Sequence, residues 1–147
     1  MKKLLISSVF IVIVALAGCS NEEVINYEYT FLGEGESWEA EYVYERTEIW
    51  DEEEGVKTYT NEDDFEFKLT YKGTEKDFQS IEKLEFSYDA GAKAGRRSTE
   101  FNEPPKDSTF TISGGGTGAK VQEDAVIQVE VKWDDFEESF ELINHEK

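Results

Sequence analysis

The chain has 147 residues, of which 34 are acidic and 15 basic, for a net charge of −19. A surface of that sign repels nucleic acid and anionic headgroups, which excludes a DNA or RNA partner and favours solubility. One cysteine and one histidine are too few for an internal disulfide or for a zinc site built from His and Cys.

The chain opens on Met1, Lys2 and Lys3, and residues 4–17 are apolar apart from Ser7 and Ser8. A run of that length suits the apolar core of a signal peptide and falls short of the roughly 20 residues a spanning helix needs. It ends in Leu16, Ala17, Gly18 and Cys19, which resembles a bacterial lipobox. The resemblance implies removal of residues 1–18, a diacylglyceryl group on the Cys19 thiol, and acylation of the new amine in many bacteria. Each buried methylene contributes about 0.8 kcal/mol, and two acyl chains make a stable anchor. The expected address is the extracytoplasmic face of the cell membrane, as a palmitate-type lipoprotein. Loss of Lys2 and Lys3 leaves 13 basic against 34 acidic residues, a balance of −21. Residues 19–26 read as the lipidated cysteine and a tether, and residues 27–147 as one domain.

From Tyr27 onward apolar residues recur with period two, the mark of strands with one buried face. Tyr27, Tyr29 and Phe31 share a parity, and 33–35 turns the chain. Trp38, Ala40, Tyr42 and Tyr44 form a second strand that can run on to Trp50, with a turn over 51–55. Phe65, Phe67, Leu69 and Tyr71 make a third, closed by Lys72, Gly73 and Thr74. A helical turn fits 77–83, and Leu84, Phe86 and Tyr88 make a fourth strand. Residues 89–107, with Gly91, Gly95, Pro104 and Pro105, read as a long irregular stretch. Phe110 and Ile112 alternate next, and 114–118 reads as a flexible break. Ile127, Val129, Val131 and Trp133 alternate before an acidic turn at Asp134 and Asp135, and Phe140 and Leu142 end the pattern. About seven such strands predict an all-β, antiparallel two-layer sandwich, immunoglobulin-like, with a small barrel as the alternative.

No catalytic constellation is visible. His145 lies at the end of the chain, where order is usually lost, and Cys19 is taken by lipid. The expectation is therefore a protein that is not an enzyme and needs no cofactor. Acids crowd at 51–54, at 62–64 and around Asp134, Asp135, Glu137 and Glu138. None has the spacing of a calcium loop, so no metal site is assigned. Lys93, Arg96 and Arg97 form a basic island in a loop, a candidate for holding an anion or for clamping to the protein's own acidic face. Trp38 and Trp133 share parity with core residues, whereas Trp50 stands beside the acidic turn, where it could stack on a sugar.

Gly35-Glu36-Ser37-Trp38-Glu39, Tyr71-Lys72-Gly73, the glycine loop at 114–118 and Val129-Glu130-Val131-Lys132-Trp133, together with the lipobox, resemble a group of small lipoproteins of Gram-positive spore-forming bacteria. The resemblance implies an exported β-domain and no catalysis. In that group an Asn-Gly commonly follows the last tryptophan. Asp134-Asp135 in its place predicts a longer hairpin turn. The leading expectation is a membrane-anchored interaction or structural module at the cell envelope, with an unidentified protein partner. The alternative is a ligand-binding lipoprotein for a divalent cation or small solute.

Overall fold

The structure, a computed structural model, describes residues 21–145. Leu16, Ala17, Gly18 and Cys19, on which the anchor rests, lie outside the described residues. Eight strands follow in order: β1 (Glu23–Glu34), β2 (Trp38–Glu53), β3 (Val56–Tyr71), β4 (Lys83–Asp89), β5 (Ala94–Glu100), β6 (Thr109–Gly116), β7 (Ile127–Trp133) and β8 (Phe136–Asn144). A five-residue helix, α1 (Glu75–Gln79), sits between β3 and β4. Thr74 sets its start, accepting the Asp77 N–H on its hydroxyl. The helix thus begins before the expected 77–83 turn.

Two compact units divide the chain. The larger holds Asn26–Thr47 and everything described from Asn61 onward, and the smaller holds Glu48–Thr60 and the described residues up to Ile25. The all-β antiparallel class read from the alternation is the class the chain adopts. All eight strands belong to one sheet, in the order β5-β4-β7-β8-β1-β2-β3-β6. In the larger unit its two ends approach, since the Arg97 guanidinium on β5 donates to the Thr111 carbonyl of β6 at 3.2 Å. The result is a curled, nearly closed sheet. The two-layer immunoglobulin-like arrangement is not confirmed, and the small barrel is the nearer description.

Eight strands enclose a space that side chains can fill, and here rings fill it. Trp38, Tyr42, Tyr44, Phe31, Phe67 and Phe86 are fully buried. Trp38 meets Trp133 edge-on at 5.7 Å and Tyr71 at 5.0 Å, and Tyr88 lies 5.1 Å from Phe67. Such contacts add about 0.5–1.5 kcal/mol each beyond burial.

Several local expectations change. Residues 89–107 are not irregular throughout, because β5 runs from Ala94 to Glu100 and pairs with β4 over its whole length. As an edge strand it carries no apolar stripe, so alternation did not mark it. Gly114, Gly115 and Gly116 are not a break but the end of β6, paired with Phe65, Asp64 and Asp63. A Cβ on Gly115 would stand 2.6 Å from the Asp63 carbonyl oxygen, which explains a glycine there. The β7–β8 turn is short: Trp133 pairs with Phe136, and Asp134 takes a positive φ of 52°. The Asp134 carboxylate accepts the N–H groups of Glu82 and Lys83, which fixes that conformation. β1 starts at Glu23, within the segment read as a tether.

Candidate functional site

Among the described residues, Val126, Phe136 and Ile143 of the larger unit are exposed apolar side chains, and two groups also depart from the plain rule of apolar inside and charged outside. The first is the hairpin of the smaller unit. β2 and β3 turn through Glu54 and Gly55, with φ of 52° and 81°. Positive φ at both central residues is what a type I′ turn requires. Trp50 and Tyr59 face each other across this hairpin with ring centroids 4.3 Å apart. The Tyr59 hydroxyl donates to the Glu48 carboxylate. Nevertheless Trp50 remains 46 % exposed and Tyr59 39 %, and Val56 and Val24 of the same unit are also exposed. Glu48–Thr60 contains five acids and one lysine. Of the three tryptophans, Trp38 and Trp133 are core residues as parity predicts, and Trp50 is the exposed one.

The second is a charged cluster inside the curled sheet. Arg46 continues the inward parity of Trp38–Tyr44 on β2, and Asp63 that of Phe65–Leu69 on β3. Both are buried, at 4 % and 1 % exposure. The Asp63 carboxylate accepts from the Tyr44 hydroxyl at 2.9 Å, faces the Lys93 ammonium at 2.9 Å and lies 3.5 Å from the Arg46 guanidinium. The Val121 N–H donates to the Tyr44 hydroxyl from the loop before β7. Burial, with lesser contributions including Asp63, raises the Tyr44 pKa. Burial likewise raises those of Tyr42 and Tyr88, and the Tyr42 hydroxyl has no hydrogen-bond partner among the described residues. All three phenols stay neutral at ordinary pH. Sequence reasoning missed this cluster, although a charge at an inward parity was the signal that could have found it.

The basic island does not converge. Lys93 pairs with the buried Asp63 inside the sheet and not with the protein's acidic face. Arg96 pairs with Glu85 at 3.6 Å on the outer face, and Arg97 crosses to Thr111. Successive residues of a strand point to opposite faces, so Arg96 and Arg97 cannot grip one anion together. Among the described residues no three His, Cys, Asp or Glu side chains come together as metal ligands, so the three acidic clusters form no such group. His145 is held at the end of β8, its N–H donating to the Thr30 carbonyl at 3.0 Å. With Glu34, Glu39, Glu41 and Lys68 it lines a shallow groove of about 460 Å³. No helix among the described residues is long and apolar enough to cross a membrane. In comparisons with protein-family models, with curated proteins and with solved structures, nothing matches this chain.

Proposed function

We propose that the protein is a lipid-anchored lipoprotein of the extracytoplasmic membrane face and serves there as a non-catalytic interaction module. Its contact surface is the β2–β3 hairpin. The anchor rests on the apolar run that ends at Cys19. The contact surface rests on one observation, the Trp50–Tyr59 pair left exposed on a turn. Single exposed apolar residues are ordinary, but grouped ones rimmed by polar residues mark contact sites. Trp and Tyr are also the residues that dominate binding energy at such sites. Five acids around the pair favour a partner with a basic contact segment, because rim charges steer encounter and set specificity.

A photo-crosslinking amino acid placed at position 50 of the full chain, in cells, tests the proposal. The expected result is one discrete adduct that is lost when Tyr59→Ser is added and that does not form from a probe at Lys132. The same adducts from both positions would contradict it.

A further inference from the structure

Curling one sheet until its ends approach leaves two edges facing each other. β5 and β6 stand at opposite ends of the strand order and share no ladder. The backbone groups that face the seam follow from the bonds on the other side of each strand. The Tyr71 N–H donates to the Ser108 carbonyl, and β6 continues that register along β3. In an antiparallel ladder both groups of a residue point the same way, and neighbours alternate. Even-numbered residues of β6 therefore bond β3, and Thr109, Thr111, Ser113 and Gly115 turn theirs toward β5. The Phe101 N–H donates to the Glu82 carbonyl, and the Ala90 N–H to the Lys93 carbonyl. Odd-numbered residues of β5 therefore bond β4, and Ala94, Arg96, Ser98 and Glu100 face the seam. All eight of these residues are exposed. The Arg97 bond to the Thr111 carbonyl agrees with the assignment.

Proteins usually guard such edges with charge, proline or a covering element. β6 has none of these on its seam side: Thr109, Thr111, Ser113 and Gly115 are small and uncharged. Strands pair at about 4.7–4.9 Å, so one inserted strand needs a gap of roughly twice that. The Arg97 side chain crosses this seam to the Thr111 carbonyl, and a groove lined by Arg97, Thr109 and Thr111 lies at it. A single extended segment seated between the two edges could bond both.

One guanidinium at the edge selects that segment. Lys93 and Arg96 have carboxylate partners, Asp63 and Glu85, whereas Arg97 has none among the described residues and holds a backbone carbonyl instead. A carboxylate is the better ligand for a guanidinium, since two parallel charge-assisted bonds can form. Beside Arg97 lies a groove of about 550 Å³ with Phe101, Phe110 and Pro104 in its wall. Glu103, Lys106 and Asp107 also line it, so the arginine edge and not the loop supplies the cationic preference. We infer that the β5–β6 seam accepts an extended, acidic segment of a partner protein as a ninth strand, with a carboxylate on Arg97 and an apolar end in this groove. The inference stands apart from the lipid anchor and from the hairpin.

Amide hydrogen exchange on the full chain in detergent micelles tests it. The probe is a blocked eight-residue peptide of alternating threonine and valine with two central glutamates. In the free protein the amides of Thr109, Thr111, Ser113, Arg96 and Ser98 should exchange fast. Saturating peptide should slow them at least tenfold and leave Ile112 and Gly114, already bonded to β3, unchanged. Thr111→Pro removes a seam-facing N–H without touching the β3 ladder, and should weaken binding at least fivefold with an unchanged circular-dichroism spectrum. Arg97→Glu should reverse the preference towards a peptide with lysines in place of glutamates. Seam amides already slow in the free chain, no protection at millimolar peptide, or binding indifferent to Arg97→Glu would each overturn the inference.

Discussion

Replacing Asp63 with alanine should destabilise the protein by about 3–5 kcal/mol, the cost of leaving a buried charge without its partner. The structure gives the ledger. Asp63 is buried, and its carboxylate serves the Tyr44 hydroxyl, the Lys93 ammonium and the Arg46 guanidinium at 2.9, 2.9 and 3.5 Å. Truncation removes a carboxylate 3.5 Å from the Arg46 guanidinium, a residue only 4 % exposed. Lys93 is different, because its side chain is 16 % exposed and its long stem can carry the ammonium outward. Lys93→Met should therefore cost less, on the order of 1–2 kcal/mol, since Asp63 keeps Tyr44 and Arg46. In the double variant the two costs should fall short of their sum, because each substitution removes the same contact. Urea unfolding followed by tryptophan fluorescence measures all three, and the melting temperature of Asp63→Ala should drop by roughly 10–20 °C. A loss below about 1 kcal/mol, or strict additivity with Lys93→Met, would refute the reasoning.

Tyr42→Phe should stabilise the protein by roughly 1 kcal/mol, because it removes a buried hydroxyl that has no hydrogen-bond partner among the described residues and leaves the ring stack intact; denaturant midpoints check this. Stability should also fall above pH 10. The pKa values of Tyr42, Tyr44 and Tyr88 are raised by burial. The unfolded chain therefore releases these protons first, and stability present below pH 10 is lost as the pH climbs past it. A flat melting temperature between pH 9 and 12 would contradict this. Trp50→Ser should change the melting temperature by no more than a few degrees, since the ring is half exposed; a large drop would make the hairpin pair a folding element and not a contact surface.

Where rings alternate with charges the strands were legible: β2, β4 and β7 stand where the parity of Trp38–Tyr44, Leu84–Tyr88 and Ile127–Trp133 puts them. β5 was hidden because an edge strand needs only backbone partners, and Ala94–Glu100 carries no apolar stripe. Period two marks the β6 glycines as a break, because close approach to Asp63 and Asp64 is a tertiary fact that it cannot carry. Strand parity also does not state whether two apolar faces meet as separate sheets or as one curled sheet. That turns on pairings between distant strands, such as β4 with β7, whose register links Phe86 to Val131. Of the candidate residues, Trp50 is marked by its place beside the acidic turn. The basic island is visible as a group, but the opposite directions of Arg96 and Arg97 follow only from β5.

The most direct test of the proposed role is metabolic labelling with radioactive palmitate, followed by membrane fractionation of the full chain and of its Cys19→Ala variant. The account predicts a labelled, membrane-bound protein whose label disappears in the variant. A full chain that takes up no label, or a variant labelled and retained as strongly as the parent, would contradict it.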